Sequence, residues 1–201
     1  MSARQPYATA ARALLRETIV GAVDELTRTR GWASTTMADV ARAAGVSRQT
    51  LYNEFGSRPA LVEAYVTHEI EKIVGEVGEA VRLHAEDAHR ALRSAFELFL
   101  KLASDEPIVQ IIQASGAETD SLQRLLTGIG QTLASERIAT LINEIWPQVG
   151  GHDAELLAGS LVRLAISHAL VPDDSSGEDP GVAATGVGRM LAPFVDEVLG
   201  R

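Results

Sequence analysis

The chain has 201 residues, 46% hydrophobic and 22% charged, with 18 Lys and Arg against 27 Asp and Glu, five His and no cysteine. That length suffices to bury a core of its own, and the lack of cysteine excludes disulfides, thiolate nucleophiles and Cys-based zinc sites together. Neither an apolar leader with a small-residue cleavage site nor an uninterrupted run of eighteen apolar residues is read, so a cytoplasmic protein with no membrane partner is expected.

The net charge of −9 is unevenly spread. Residues 1–58 carry eight Arg and five acids, a net +3, whereas residues 59–201 carry ten bases and twenty-two acids, a net −12. This asymmetry suggests a small cationic module joined to an acidic body, although a surface charged unevenly by chance would look the same.

Apolar residues recur at helical spacing almost throughout, with no sustained period of two, which predicts an all-α protein of about nine helices. Leu15, Ile19, Val23 and Leu26 define a first helix that ends near Arg30, with Gly31 as its stop. Thr36-Met37-Ala38-Asp39 has the form of a capping box, with Asp where Glu or Gln is commoner, and opens a short helix to Ala44. Ser47 caps a helix over 48–54. Ser57, with Pro59 in the first turn, opens a long one whose stripe of Val62, Val66, Ile70, Ile73, Val77 and Val81 is weakened by Gly75 and Gly78.

Further helices are expected over 87–103, with Leu92, Phe96 and Phe99 inward, over 107–115, and over 120–146. In the last of these the stripe of Leu122, Leu126, Ile129 and Leu133 changes phase before Ile138, Leu141, Ile142 and Ile145. Asp153 is read as the cap of a helix that ends before Pro172, residues 173–180 as an exposed polar loop, and residues 182–199 as a last helix kinked at Pro193.

Two short helices joined by Gly45-Val46-Ser47 have the proportions of a helix-turn-helix. A left-handed backbone position between helices is cheap only for glycine, Val46 can plug the angle, and Ser47 can satisfy free amides of the next helix. Taken alone, Ala-x-Ala-Ala-Gly-Val-Ser is equally compatible with plain packing. The longer string is more specific: Gly31-Trp32, Thr35-Thr36, Asp39-Val40-Ala41, Ala44-Gly45-Val46-Ser47, Leu51-Tyr52, Phe55, Arg58 and Leu61 together resemble the N-terminal domain of the tetracycline-repressor (TetR) family of transcriptional regulators. The lactose-repressor family shares the Thr-x-x-Asp-Val-Ala-x-x-Ala-Gly-Val-Ser pattern, but at the very start of its chains and without the Tyr-x-x-Phe that follows here.

The resemblance covers about residues 11–70 and implies a DNA-binding domain there, with the helix-turn-helix at about 36–55. Residues 71–201 would be the ligand-binding and dimerisation domain, matched by helix count and size only. It implies a homodimeric repressor that binds a palindromic double-stranded operator, is released by a small apolar or amphipathic effector, and is neither an enzyme nor dependent on a cofactor. The long helix after the motif would act as the lever of that release. The helix over 48–54 corresponds to the recognition helix. Arg48, Gln49, Thr50 and Asn53 suit base contacts: Arg can chelate guanine, Gln or Asn adenine, and the Thr methyl can touch a thymine methyl. Thr36, Ser47, Tyr52 and Arg58 correspond to contacts with the sugar-phosphate backbone. Two departures stand out. Arg58 replaces the usual Lys, and Glu54 stands where the family often has His or Tyr, an acid that would repel phosphates unless it pairs with a neighbouring Arg or accepts from cytosine.

In the body, Tyr65, His68, Phe96, Phe99, Ile112, Gln113, Trp146 and His168 are candidates for the ligand pocket, and each could equally be ordinary core. Leu157, Leu161 and Leu164, with Met190, Leu191, Phe194 and Val198, are candidates for a dimer interface built from the last two helices. Packing within one chain would give the same pattern. A metal-dependent phosphohydrolase would be the alternative suggested by His152-Asp153, but His84 and His89, its possible partners, are five apart and fall on different helix faces. A scaffold that kept the fold without DNA binding is the third reading.

Overall fold

The computed structural model describes residues 4–105, 124, 126–171 and 179–199. Among them are α1 (Arg4–Arg30), α2 (Met37–Ala43), α3 (Arg48–Phe55), α4 (Arg58–Arg82), α5 (Ala88–Asp105), a π-helical turn (Leu126–Gly130), α6 (Gln131–Ile145), α7 (Gly151–Leu170) and α8 (Pro180–Leu199). No strand occurs among the described residues. The helix expected over 107–115, Leu122, and most of the loop expected at 173–180 lie outside them.

The chain divides into two compact units, Met1–His68 and Glu69–Arg201. In the first, Ile19, Val23, Val40, Leu51 and Leu61 are almost completely buried and hold α1, α2, α3 and the start of α4 around one core. Phe55 joins them, whereas Val46, read as a plug for the angle between the two helices, is only half-buried. Gly31 and Gly45 stop their helices with φ of 79° and 67°, a backbone region closed to most L side chains. The capping box at Thr36 forms in both directions, and the Ser47 side chain accepts the Thr50 amide.

The second unit is organised by apolar faces. Val77 and Val81 of α4, Ala91 and Ala95 of α5, and Leu141 of α6 form one cluster. Gly78 lies at this contact, where a β-carbon would stand 3.4 Å from Leu141 Cδ2, so the glycine that weakens α4 locally is also the one against which Leu141 packs. A second cluster joins Leu92, Ile142, Val149, Ala154, Leu157 and Val195, and a third joins Phe96, Ala165, Ala184 and Val187.

Two expectations are corrected here. Residues 126–146 are not a single α-helix: the π-helical turn at 126–130 precedes α6. A π turn inserts a residue into the helical repeat at 126–130, whereas the change of phase read in the apolar stripe, between Leu133 and Ile138, falls within the regular helix α6. Asp153 is not the cap of α7. The helix starts at Gly151 behind an extended Gly150 that makes no side-chain cap bond, and Asp153 lies in its first turn. There its charge still faces the positive end of the helix dipole, so the residue type suits either position.

Candidate nucleic-acid interface

The helix-turn-helix geometry follows from its caps. Thr36 donates its amide and hydroxyl to Asp39 Oδ2, at 3.1 and 2.6 Å, and its hydroxyl oxygen accepts the Asp39 amide at 3.3 Å. Arg42 and Arg30 approach the other carboxylate oxygen at 3.3 and 3.6 Å. The Thr36 hydrogen bonds, with lesser help from the two arginines, hold the Asp39 carboxyl below its ordinary range. At α3, Ser47 Oγ accepts the Thr50 amide at 3.0 Å and meets the Thr50 hydroxyl at 2.8 Å.

Leu51 and Phe55 turn inward, so Arg48, Gln49, Tyr52 and Asn53 are exposed, with Thr50 half-buried beside them. Gln49 Nε2 donates to Asn53 Oδ1 at 3.4 Å, one turn apart on the outward ridge. The Thr50 hydroxyl is held in the Ser47 cap, leaving its methyl as the group available for an apolar contact. Beside α3 an open cleft of about 620 Å³ is lined by Ala33, Thr35, Thr36, Met37, Ala38, Arg48, Tyr52 and Arg58. Thr36, Arg48, Tyr52 and Arg58, four of the eight residues singled out for DNA, therefore share one concavity. Its cations and hydroxyls, with the amides of the first turn of α2, suit a phosphodiester.

Arg58 has a second duty that the sequence did not show. Its Nη2 donates to the Trp32 carbonyl at 3.0 Å, and its guanidinium lies 4.4 Å from the Trp32 ring centroid. Glu54 is not left facing solvent as an unpaired acid. Arg12 Nε meets both carboxylate oxygens at 2.9 and 3.0 Å, and Arg16 Nη1 meets Oε1 at 2.7 Å. Burial opposes ionisation of Glu54, but the bonds from Arg16 and Arg12 outweigh it and lower the pKa. The signal for this partnership was in the sequence as an acid on a cationic module and two arginines one turn apart on α1.

The pocket candidates fall in different places. Tyr65 and His68 lie in the first unit, where the Tyr65 hydroxyl donates to Asp24 Oδ1 at 3.0 Å. In the second unit, Phe96 meets the His168 ring edge-on at 5.8 Å, and Phe99 packs against the same cluster as Phe96. Trp146 packs against the cluster shared by α4, α5 and α6, with its indole N–H donating to the Ala85 carbonyl at 2.8 Å. Ile112 and Gln113 lie outside the described residues. Of the interface candidates, Leu157 is buried and Leu161, Leu191, Phe194 and Val198 pack half-buried against the same apolar cluster. Leu164 packs against the Phe96 cluster, and Met190 is 58% exposed. His89 Nε2 lies 2.7 Å from Asp196 Oδ1, a pairing of α5 with α8 that has no part in the site imagined around His152.

Residues 19–65 match the family model described as bacterial regulatory proteins, tetR family, and residues 87–193 that described as bacterial tetracyclin repressor, C-terminal domain. The HTH-type transcriptional regulator AlkX of Mycobacterium tuberculosis is 35% identical over 195 residues, 96% of this chain and 90% of that protein. The chain belongs to the TetR family. It is a DNA-binding transcriptional regulator. Among solved structures, the TetR-family repressor AlkX from Dietzia sp., implicated in biodegradation of n-alkanes, is 32% identical with a TM-score of 0.78. The match covers 92% of this chain and 96% of that one. Thermus thermophilus FadR in complex with lauroyl-CoA, at 21% identity, TM-score 0.55 and coverage of 90% and 93%, shares the TetR fold. Among the described residues no helix is long and apolar enough to cross a membrane, and no three His, Asp or Glu side chains gather as a metal set.

Proposed function

We propose that this regulator is a homodimeric, cytoplasmic repressor without enzymatic activity, bound to a palindromic operator through residues 11–70 and released by an effector bound within residues 71–201. The observation that carries the operator reading is the cleft lined by Thr36, Arg48, Tyr52 and Arg58 beside the exposed ridge of Gln49 and Asn53. Thr36, Ser47, Tyr52 and Arg58 would hold sugar and phosphate, and Arg48, Gln49, Asn53 and the Thr50 methyl would read base edges. Two-fold symmetry through α7 and α8, with Leu161, Leu164, Leu191 and Phe194 half-buried and Met190 exposed, would space two recognition helices about 34–36 Å apart, one duplex turn.

The effector we favour is an alkyl or acyl chain. Its support is the likeness to the Dietzia AlkX, implicated in biodegradation of n-alkanes, together with the apolar surroundings of Phe96, Phe99, Leu100, Leu161 and Leu164 in the second unit. A ligand that favours one of two states would act through α4, a single helix that runs from the first unit into the second, and shift binding by its differential affinity.

Selection of bound duplexes from a random pool at two salt concentrations tests the operator reading. Enrichment of a palindrome with half-sites one turn apart is expected, and enrichment of a single asymmetric half-site would overturn the dimeric reading. Lauric acid and dodecane, offered to the protein on that duplex, should raise thermal stability and release DNA together. Stabilisation with the DNA still bound would overturn release through α4.

A further inference from the structure

At about 100° per residue, α3 presents four edges. Leu51 and Phe55 point to the core, Gln49 and Asn53 lie opposite them, Arg48 and Tyr52 form one flank, and Thr50 and Glu54 form the other. The cleft with Thr36 and Arg58 belongs to the Arg48 and Tyr52 flank. A helix in a major groove about 12 Å wide has a phosphate strand on each side, so the Glu54 flank faces the second strand. An isolated carboxylate there would be repulsive.

The structure supplies two cations at that place. Arg12 and Arg16 stand one turn apart on α1 and converge on Glu54, giving the cluster a net charge of +1. Arg16 makes three contacts with the end of α3: it bonds the Glu54 carboxylate, donates to the Glu54 carbonyl at 3.3 Å, and lies 4.5 Å from the Phe55 ring centroid. A cation at the C-terminus of a helix also complements its dipole. Arg12, by contrast, meets Glu54 through Nε while its side chain stays 65% exposed. Arg16 thus fastens α3 to α1, and Arg12 is presented outward.

We propose that Arg12 is a phosphate contact on the far strand of the groove, and that Glu54 is the positioning residue that holds Arg12 and Arg16 beside the recognition helix. This rests on the assignment of α3 as the helix that enters the groove. The acid at position 54 then organises the cations of its own side of the interface, and both walls of the groove are served by basic groups.

The test uses the full chain and two duplexes, the one selected by the wild-type protein and a random-sequence duplex of equal length, with affinity measured across 50–200 mM salt. Arg12→Gln should lower the slope of log affinity against log salt by about 0.9 per bound protomer on both duplexes, the signature of one lost phosphate contact. Glu54→Gln removes a negative charge yet should reduce preference for the selected duplex about fivefold or more, without tightening binding to the random one. A slope unchanged in Arg12→Gln overturns the proposal, as does a Glu54→Gln protein that binds both duplexes more tightly, which is how a merely repulsive acid would behave. Thermal unfolding of each variant separates positioning from loss of fold. Should Glu54→Gln fail to fold, the slope of Arg12→Gln, a change at an exposed side chain, remains decisive. A wild-type protein with no salt-dependent affinity for either duplex would overturn the assignment of α3 along with the inference.

Discussion

The two units are built by different means. In the first, helices start at hydroxyl or carboxylate caps, stop at glycines of positive φ, and are joined by polar bonds between residues distant in sequence: Arg12 with Glu54, Arg58 with Trp32, Tyr65 with Asp24. In the second, α7 begins behind a Gly150 that makes no side-chain cap bond. Asp87 and Asp179 accept amides at the starts of α5 and α8, and His89 with Asp196 and Trp146 with Ala85 join distant residues, but three apolar clusters run through the helices. Directional bonds fix angles, and angle is what a groove-reading helix requires. Apolar clusters tolerate repacking, which suits a body that must respond to a ligand.

Substitutions can break or sharpen this contrast. The largest effect should come from Leu51→Ala, which empties a fully buried site beneath α3 and should cost about 2–5 kcal/mol in thermal or denaturant unfolding. A loss under 1 kcal/mol would mean that the first unit repacks as freely as the second. Next, Arg48→Ala should relax base preference by about 1–3 kcal/mol at one position of each half-site, whereas Arg58→Ala should weaken all sequences alike and also lower stability through its lost hold on Trp32. Equal sequence dependence for the two would erase the division of labour across α3.

Smaller effects probe the caps. Ser47→Ala should destabilise by about 1 kcal/mol, while Gly150→Ser should stabilise by a few tenths, because one helix loses its cap and the other gains one. The mildest test is acid. Asp39 and Glu54 both ionise more readily in the folded chain, so their contribution is complete above the ordinary carboxylate range and is lost as pH falls through their lowered values. An acid-unfolding curve should therefore flatten in the Glu54→Gln protein, and an unaltered curve would show that the clamp adds nothing to stability.

How much of this was legible in the sequence follows from the same contrast. The capping box at Thr36, the stop at Gly45 and the cap at Ser47 are encoded within four residues of where they act, so spacing reveals them. Glu54 was recognisable as an acid in need of an arginine, but a partner separated by 42 residues cannot be named before α1 and α3 are packed. Asp153 was misplaced by three positions because an acid suits both the cap and the first turn, and only the course of the chain after Pro147 decides between them. For Leu157, Leu161, Leu191, Phe194 and Val198, helical periodicity says that a face is covered and not by what. The structure seats all five in or against one cluster of their own unit.

The stacking of Arg58 on Trp32 also has an optical consequence. The chain has two tryptophans, Trp32 in the first unit and Trp146 in the second. Trp32 is 6% exposed beneath a guanidinium, whereas Trp146 is half-buried with its N–H bonded to Ala85. Replacing Trp146 with Phe leaves a single tryptophan, stacked 4.4 Å from the guanidinium of Arg58, a residue lining the cleft beside α3. Any pull on Arg58 by a bound duplex changes the field at that indole, so emission from Trp32 becomes an intrinsic reporter of occupancy, with no dye attached to the protein or to the DNA.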